Sequence, residues 1–496
     1  RHTDSPTSDK DVFSPQGQLP GVSARRVVLW VGLAATASAL LLSVTNHMCQ
    51  DTAVIPLLWV FPLVLYLTTL MLAFESDRMY RRWLFPPLFG LSVVGAVYLM
   101  FVGSGTPLMY QIGIDAAVLF FGCMVCHGEL AKSRPGAERL TLFYFSVALG
   151  GALGGFCVAV LAPLLFNGFW EFHASLFAAG VAFLLALTDD QSSFLYRNPW
   201  VNGPALLTVV LVLGGILVNR IQNSEDDVRF ATRNFYGVLR VIEDRTEGEM
   251  ELLHGRITHG IQYEDSDRSR IPTSYYTEES GIGLAIVHHP LREKGLRIGV
   301  IGLGVGTIAA YVRPSDTIRF YEINPAVLRL STGPKPFFTY LKDCPGHADV
   351  VLGDARLMLE DELRKGYPQR FDVLAVDAFS SDAIPVHLLT KEALEVYRKH
   401  LRMPYGVVAV HISNRYLNLV PLVHGLAKAA HAVSMLVTVE RNDSGGFGSE
   451  WVLLSPSPAE FALRVMREAA TPWDSVGDRP VRLWTDDYSN LIALLK

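Results

Sequence analysis

"LRIGVIGLGVGTIAAYVRPSDTIRFYEINP", Leu296 to Pro325, sets the fold class of this chain. An apolar, strand-like run ends in glycines at alternate positions, Gly302, Gly304 and Gly306. A short helix follows, and then a second apolar run that closes on Glu322. Such glycines permit a tight turn and a close approach of ligand to backbone, and an acid ending the next strand is spaced to take ribose hydroxyls. The segment therefore reads as a nucleotide-binding turn of an α/β domain.

Strand and helix patterns alternate from Leu296 to the C-terminus. The candidate strands are "LRIGVIG", "TIRFYEI", "ADVVLGD", "FDVLAVDAF", "GVVAVHIS", "VSMLVTVE" and "WVLLSPS". Apolar and β-branched throughout, they predict a parallel, Rossmann-like sheet covered on both faces. Ligands of such sheets bind beyond the carboxyl ends of the strands. Those ends carry the glycine turn, Glu322, then Asp354 and Ala355 in "GDA", then Asp377 in "VDAFSSDAIP". Upstream, "YGVLRVIED" and "MELLHGRITHG" predict a small antiparallel sheet.

A dinucleotide fingerprint asks for Gly or Ala where Thr307 stands. An acid at the third strand suits the exocyclic amine of an adenine lying across the strand ends. Together, the glycine turn, Glu322 and Asp354 favour S-adenosylmethionine or a relative over NAD. Taken singly, Asp354 also fits an ordinary turn acid, and Asp377 a helix-capping or loop acid.

Over 496 residues the chain is 50% apolar and 18% charged, with a mean hydropathy of +0.27. That average hides two unlike parts. The expected organisation is a tail at 1–24, a helical membrane domain at 25–220, a small β region at 226–290 and the nucleotide-binding domain at 291–496. A formal charge of −5, without a basic cluster interleaved with aromatics, argues against nucleic acid as a partner. Five cysteines, two of them in apolar runs, form no disulfide framework. The chain opens at Arg1 rather than Met, which leaves room for upstream sequence.

Seven runs are apolar enough to cross about 30 Å of hydrocarbon: Val27 to Thr45, Ala53 to Phe74, Trp83 to Val102, Leu108 to Cys126, Leu140 to Phe166, Phe172 to Leu187 and Pro204 to Val218. The last two are short. Arg25, Arg26, Arg78, Arg81, Arg82, Lys132, Arg134, Arg139 and Arg197 all fall in alternate loops on one side, which marks that side as cytoplasmic. Seven crossings would put the soluble domain on the other side, in conflict with a cytosolic metabolite. The expectation is a multi-pass protein of the plasma or inner membrane with a cytoplasmic soluble domain, the conflict being resolved by a miscounted or re-entrant span.

Within this part, "ALGGALGG" places Gly150 with Gly154, and Gly151 with Gly155, where helices can approach closely. Asp115 is an acid inside a crossing, either a satisfied interior group or part of a polar pathway. "CMVCH", Cys123 to His127, spells a haem-attachment pattern but lies in an apolar run beside the basic loop, which favours chance. Only His127 stands near enough to join a zinc site, so no metal is expected.

From about Asn234 onward the sequence resembles the spermidine synthase, or polyamine aminopropyltransferase, family, in the bacterial form fused to N-terminal transmembrane helices. The residues that carry this are "RNFYGVLRV", "LLHGRITHGIQ", "PTSYY", "GLGVG", "YEINP", "GDA", "DAFSSDAIPVHLLT", "HISNRY" and "TDDYSN", with "DTAVIPLLWVFPLVLYL" and "CHGELAKSRP" in the membrane part. The resemblance implies transfer of an aminopropyl group from decarboxylated S-adenosylmethionine to an amine such as putrescine, releasing methylthioadenosine. It implies Asp377 as the catalytic acid and Asp382 as a second acid holding the amine. Gln262 and Tyr275 would contact ligand, and Glu322 and Asp354 would take ribose and adenine. A homodimer or larger oligomer is implied as well.

Departures from the family pattern bear on the substrate. The glycine turn usually contains an acid where Val305 stands, and that acid helps hold the donor's ammonium. Asp377 and Asp382 are five apart rather than three. Tyr276 and Thr277 replace the usual Gln and Glu, while Asp486 and Asp487 in "WTDDYSN" either restore negative charge or are turn residues. Other S-adenosylmethionine chemistry (alkyl transfer elsewhere, lyase or cyclase) and a non-enzymatic sensor or transporter stand as alternatives.

Overall fold

The computed structural model describes residues 22–52, 56–76, 78–102, 106–190, 199–223, 227–255, 257–378, 385–415, 417–440, 446–473 and 481–496. Asp382 lies outside them. Each of the seven apolar runs coincides with a helix. Five helices are long and apolar enough to cross a membrane: Ala24–Cys49, Phe85–Val102, Leu108–Lys132, Ala137–Leu165 and Glu171–Asp189. The apolar stretches Val60–Glu75 and Leu207–Asn219 are shorter.

Small residues hold the bundle together. A Cβ on Gly150 would stand 2.4 Å from the Val31 carbonyl oxygen, and one on Gly154 2.1 Å from that of Ala35, so the first helix lies directly on the backbone of Leu140–Phe156. Gly151 faces open space and Gly155 meets only side chains at 3.8 Å or beyond. Of the two pairs legible in the sequence, one makes the close approach. Asp115 is buried and paired with His47 (Oδ2 to Nδ1, 3.0 Å), whose ring stacks on Phe172 at 4.6 Å. Cys123, Cys126 and His127 are buried inside the bundle, where His127 Nδ1 meets Thr69 Oγ1 at 3.1 Å.

Strands β1 (Val228–Asn234), β2 (Gly237–Asp244), β3 (Glu249–His254) and β4 (Ile257–Tyr263) form an antiparallel meander. A larger sheet comes next: β5 (Arg297–Ile301), β6 (Thr317–Glu322), β7 (His347–Leu352), β8 (Val373–Val376), β9 (Val407–His411), β10 (Val433–Val439) and β11 (Ser449–Ser455), in the order β10-β11-β9-β8-β5-β6-β7. Strands β5 to β9 are parallel, as a Rossmann-like fold requires. The all-parallel expectation fails at the edge, where β11 is antiparallel to both β9 and β10. No helix separates β10 from β11 among the described residues, and a connection of that kind returns the chain as a hairpin rather than a crossover.

Strand order reverses between β5 and β8, so the crevice of this fold opens there. Register brings three strand ends level: Ile301 pairs with Val376, and Val376 with Val410. Gly302, Asp377 and His411 are the next residues on the three neighbouring strands. The small sheet shares one apolar core with the large one, Leu239, Val241 and Leu252 packing with Leu303, Val305 and Ile308.

An ion pair joins the two parts. From β1, Arg233 reaches Glu171 at the head of a membrane helix with two 2.9 Å bonds, donates to the Gly168 carbonyl at 2.9 Å and lies over the Phe169 ring. Both partners are nearly fully buried (7% and 4% exposed). The contact is with the loop before Glu171, on the bundle face opposite the arginine-rich loops. On that other face Arg82 binds Glu129 and Asp190, and Arg25 and Arg26 approach Asp189.

Candidate active site

The glycine turn takes the shape its sequence demands. Gly302, Gly304 and Gly306 have φ of +97°, +53° and +87°, which only glycine adopts without strain. At Gly302 a side chain would also strike the Asp377 carbonyl, 2.3 Å away. The chain then enters a five-residue 3-10 turn, Thr307–Tyr311, rather than an α-helix. A dinucleotide site places its pyrophosphate on an α-helix N-terminus, and this turn offers none.

Around the turn lies a cleft of about 840 Å³, counting the space at its mouth. Of the residues singled out in the sequence, Tyr275, Tyr276, Gly302, Gly304, Glu322, Asp354, Ala355 and Asp377 line it. Glu322 is buried and accepts the Leu303 and Asn324 N–H groups at 2.9 and 2.7 Å. Burial pushes its carboxyl up, against the lowering effect of these backbone donors. A carboxylate has about four acceptor positions, so acceptor capacity is left for a hydroxyl pair.

Asp354 caps the helix Ala355–Arg364 through Leu357 N–H at 3.0 Å, and its other oxygen meets His387 Nε2 at 2.9 Å. It is thus a helix cap that also lines the cleft.

Three expected positions sit elsewhere. Gln262 is buried, but it bonds Ser269 O, Thr339 Oγ1 and Thr339 N and does not line the cleft; its amide staples two loops. Gly306 shapes the turn without lining the cleft. Asp487 is exposed in the Thr485–Tyr488 turn, while its neighbour Asp486 binds Arg356 at 2.5 Å. Val305 is 1% exposed and points away from the cleft onto Gly260 of β4, whose added Cβ would meet Val305 Cγ2 at 2.5 Å.

At the centre stands Asp377, its side chain 4% exposed. One oxygen accepts a hydrogen bond from the Tyr276 hydroxyl, and the other meets His411 Nδ1 at 2.7 Å. The His411 ring is stacked between Tyr275 (4.5 Å) and Trp451 (4.7 Å). Burial, with the charge of Asp377 adding to it, holds both phenols well above their ordinary value, so they act as donors. His259, also lining the cleft, is pushed by burial down to about 3, with a further contribution from His254 and His411.

Two buried polar atoms at the cleft lack a partner among the described residues, His259 Nε2 and Asn324 Nδ2. Such atoms are costly to leave unpaired unless a water or a ligand meets them. The cleft's volume, its apolar walls and a few convergent polar groups fit a small organic ligand. Sequence reasoning missed His411, His387, His259 and Asn324. The motifs "HISNRY", "DAFSSDAIPVHLLT", "LLHGRITHGIQ" and "YEINP" contain all four, but their relevance depends on how the fold brings these segments together.

No family model matches the chain. The polyamine aminopropyltransferase of Vibrio vulnificus (strain CMCP6) is 29% identical over 158 residues, covering 32% of this chain and 49% of that protein. The chain thus spans about half the length of that relative, a distant and partial likeness.

Proposed function

We propose that the soluble domain is a transferase of the aminopropyl type. It would move the propyl carbon of an adenosyl-sulfonium donor to an amine and release methylthioadenosine. The observation that carries this reading is the placement of Asp377 at the strand-order reversal, beside the glycine turn and held by Tyr276 and His411. Likeness to a protein named polyamine aminopropyltransferase supports it.

In this reading Glu322 holds the ribose, Asp354 faces the adenine, and Tyr275 and Tyr276 wall the acceptor. The amine nitrogen forms its bond to the propyl carbon as the carbon–sulfur bond breaks, the electron pair going to sulfur. Asp377 orients the amine and takes its proton, the work of a general base placed in line. Asp382 would hold the far cationic end of a diamine, and the assembly would be a homodimer anchored in the bilayer.

A second reading keeps this cleft and changes the donor. The family's usual turn acid is replaced by Val305, which packs into the core, and the nearby lining groups are the histidines 254 and 259. Val305 contributes no charge at the turn, so the carboxylate of ordinary S-adenosylmethionine would meet no acid from that position. Product analysis separates the two: purified protein is given the decarboxylated or the ordinary donor, with and without putrescine. Methylthioadenosine with spermidine, lost in Asp377→Asn, supports the first reading. Turnover of the ordinary donor alone supports the second, and full activity in Asp377→Asn refutes both assignments of the acid.

A further inference from the structure

We infer that His411 is the positioning residue of this site, holding the Asp377 carboxylate in one plane through a fixed ring tautomer. Its catalytic consequence rests on the reading of Asp377 as proton acceptor; its structural part stands alone. His411 Nε2 meets Ser413 Oγ at 2.8 Å, and the same oxygen accepts the Glu450 N–H at 2.7 Å. An ionised carboxylate only accepts, so the contact with Asp377 calls for a proton on Nδ1, and the Ser413 hydroxyl can then donate to Nε2 while its oxygen takes the Glu450 N–H. The ring therefore carries its proton on Nδ1 and donates it to Asp377 at 2.7 Å. Fold elements set every member: β9 ends on His411, Trp451 of β11 pairs with it in register, and Asp377 follows β8 one strand over.

Both Asp377 oxygens thus receive a donor, Tyr276 O–H and His411 N–H, and donors to the charged form keep a carboxylate ionised. Other titratable groups facing the pair are Tyr275 beside Tyr276 and His259 from β4. Stacking on Tyr275 and Trp451 holds the plane of the ring.

The test uses the full chain in detergent with ¹³C-labelled aspartate carboxyls, the Asp377 signal being assigned by its loss in Asp377→Asn. His411→Phe keeps a stacked ring but removes the donor, and should raise the Asp377 midpoint by about one unit or more, the worth of a hydrogen bond to a charged group. His411→Gln keeps an N–H and should restore most of it. An unmoved midpoint in His411→Phe overturns the proposal. Should that variant not fold, ¹⁵N shifts of wild-type His411 decide: protonated Nδ1 and bare Nε2 support it, the reverse refutes it. If the carboxyl midpoint moves but no amine transfer is found with either donor, the positioning role stands and the aminopropyl reading falls.

Discussion

Val305→Asp puts an acid where the resemblance to aminopropyltransferases implies one, and it should fail to act as a ligand contact. The side chain is 1% exposed and lies on Gly260, in the core shared by the two sheets. Losing the buried valine costs about 1.5–3 kcal/mol. Keeping the new carboxyl neutral at pH 7, some three units above its ordinary value, costs about 4 kcal/mol more. Their sum approaches the whole stability of a typical domain, about 5–15 kcal/mol. Because the folded-state carboxyl is raised above its unfolded value, the charge-related loss is absent below the unfolded value near 4 and grows as pH rises toward the folded value. Chemical unfolding of wild type, Val305→Asp and Val305→Asn at acid and neutral pH would measure this, with Asn showing a pH-independent loss. A Val305→Asp protein as stable as wild type, with a gained preference for the decarboxylated donor, would overturn this account by showing that position 305 faces the cleft.

Other outcomes come from the same geometry. Gly154→Ala should destabilise the bundle by several kcal/mol, since its Cβ would stand 2.1 Å from the Ala35 carbonyl, while Gly151→Ala meets nothing within 4 Å and should leave thermal unfolding in detergent unchanged. Removing Arg233 leaves Glu171 buried without its guanidinium, and Arg233→Ala should cost about 3–5 kcal/mol and make β1 more open to protease. Thiol labelling in sealed vesicles should find cysteines placed at Gly168 and Ser457 on one side and one at Gly136 on the other. Labelling of 136 and 457 from the same side would contradict docking of the soluble domain through Arg233 and Glu171. Between about pH 3 and 6.5, stability should rise with pH through His259, because its folded-state value is depressed and the unfolded chain binds the extra proton; His259→Gln should flatten that limb.

Sequence and structure agree most closely where local chemistry and fold coincide. Alternating glycines with φ > 0 leave few options, and the buried strands that flank them read as a parallel sheet. Gln262 and Val305 show the limit. Each occupies a position that the family pattern ties to ligand, yet whether a side chain points to cleft or core depends on how β4 crosses the turn, a tertiary fact that spacing does not encode. Asp354 reads both ways because capping a helix and lining a cleft are compatible uses of one carboxylate. His411 is not legible as a site residue, since a histidine ending a strand is unremarkable until register sets it beside Asp377. The β10–β11 hairpin is equally hidden, because a buried antiparallel edge has the same apolar composition as a parallel strand.

The Arg233–Glu171 clamp has a mechanical side. Next to Arg233, Asn234 donates to Asn324 Oδ1 at 2.7 Å, and the Asn324 N–H binds Glu322 at 2.7 Å. A line of direct contacts therefore runs from the end of a membrane helix to the acid on the cleft floor. The helix Glu171–Asp189 has 19 residues, about 28 Å of rise, close to the thickness of a bilayer core. A helix longer than the surrounding hydrocarbon tilts, and a tilt here would move Glu171 itself. A displacement of the Glu171 end of that helix would therefore pass, bond by bond, to Glu322.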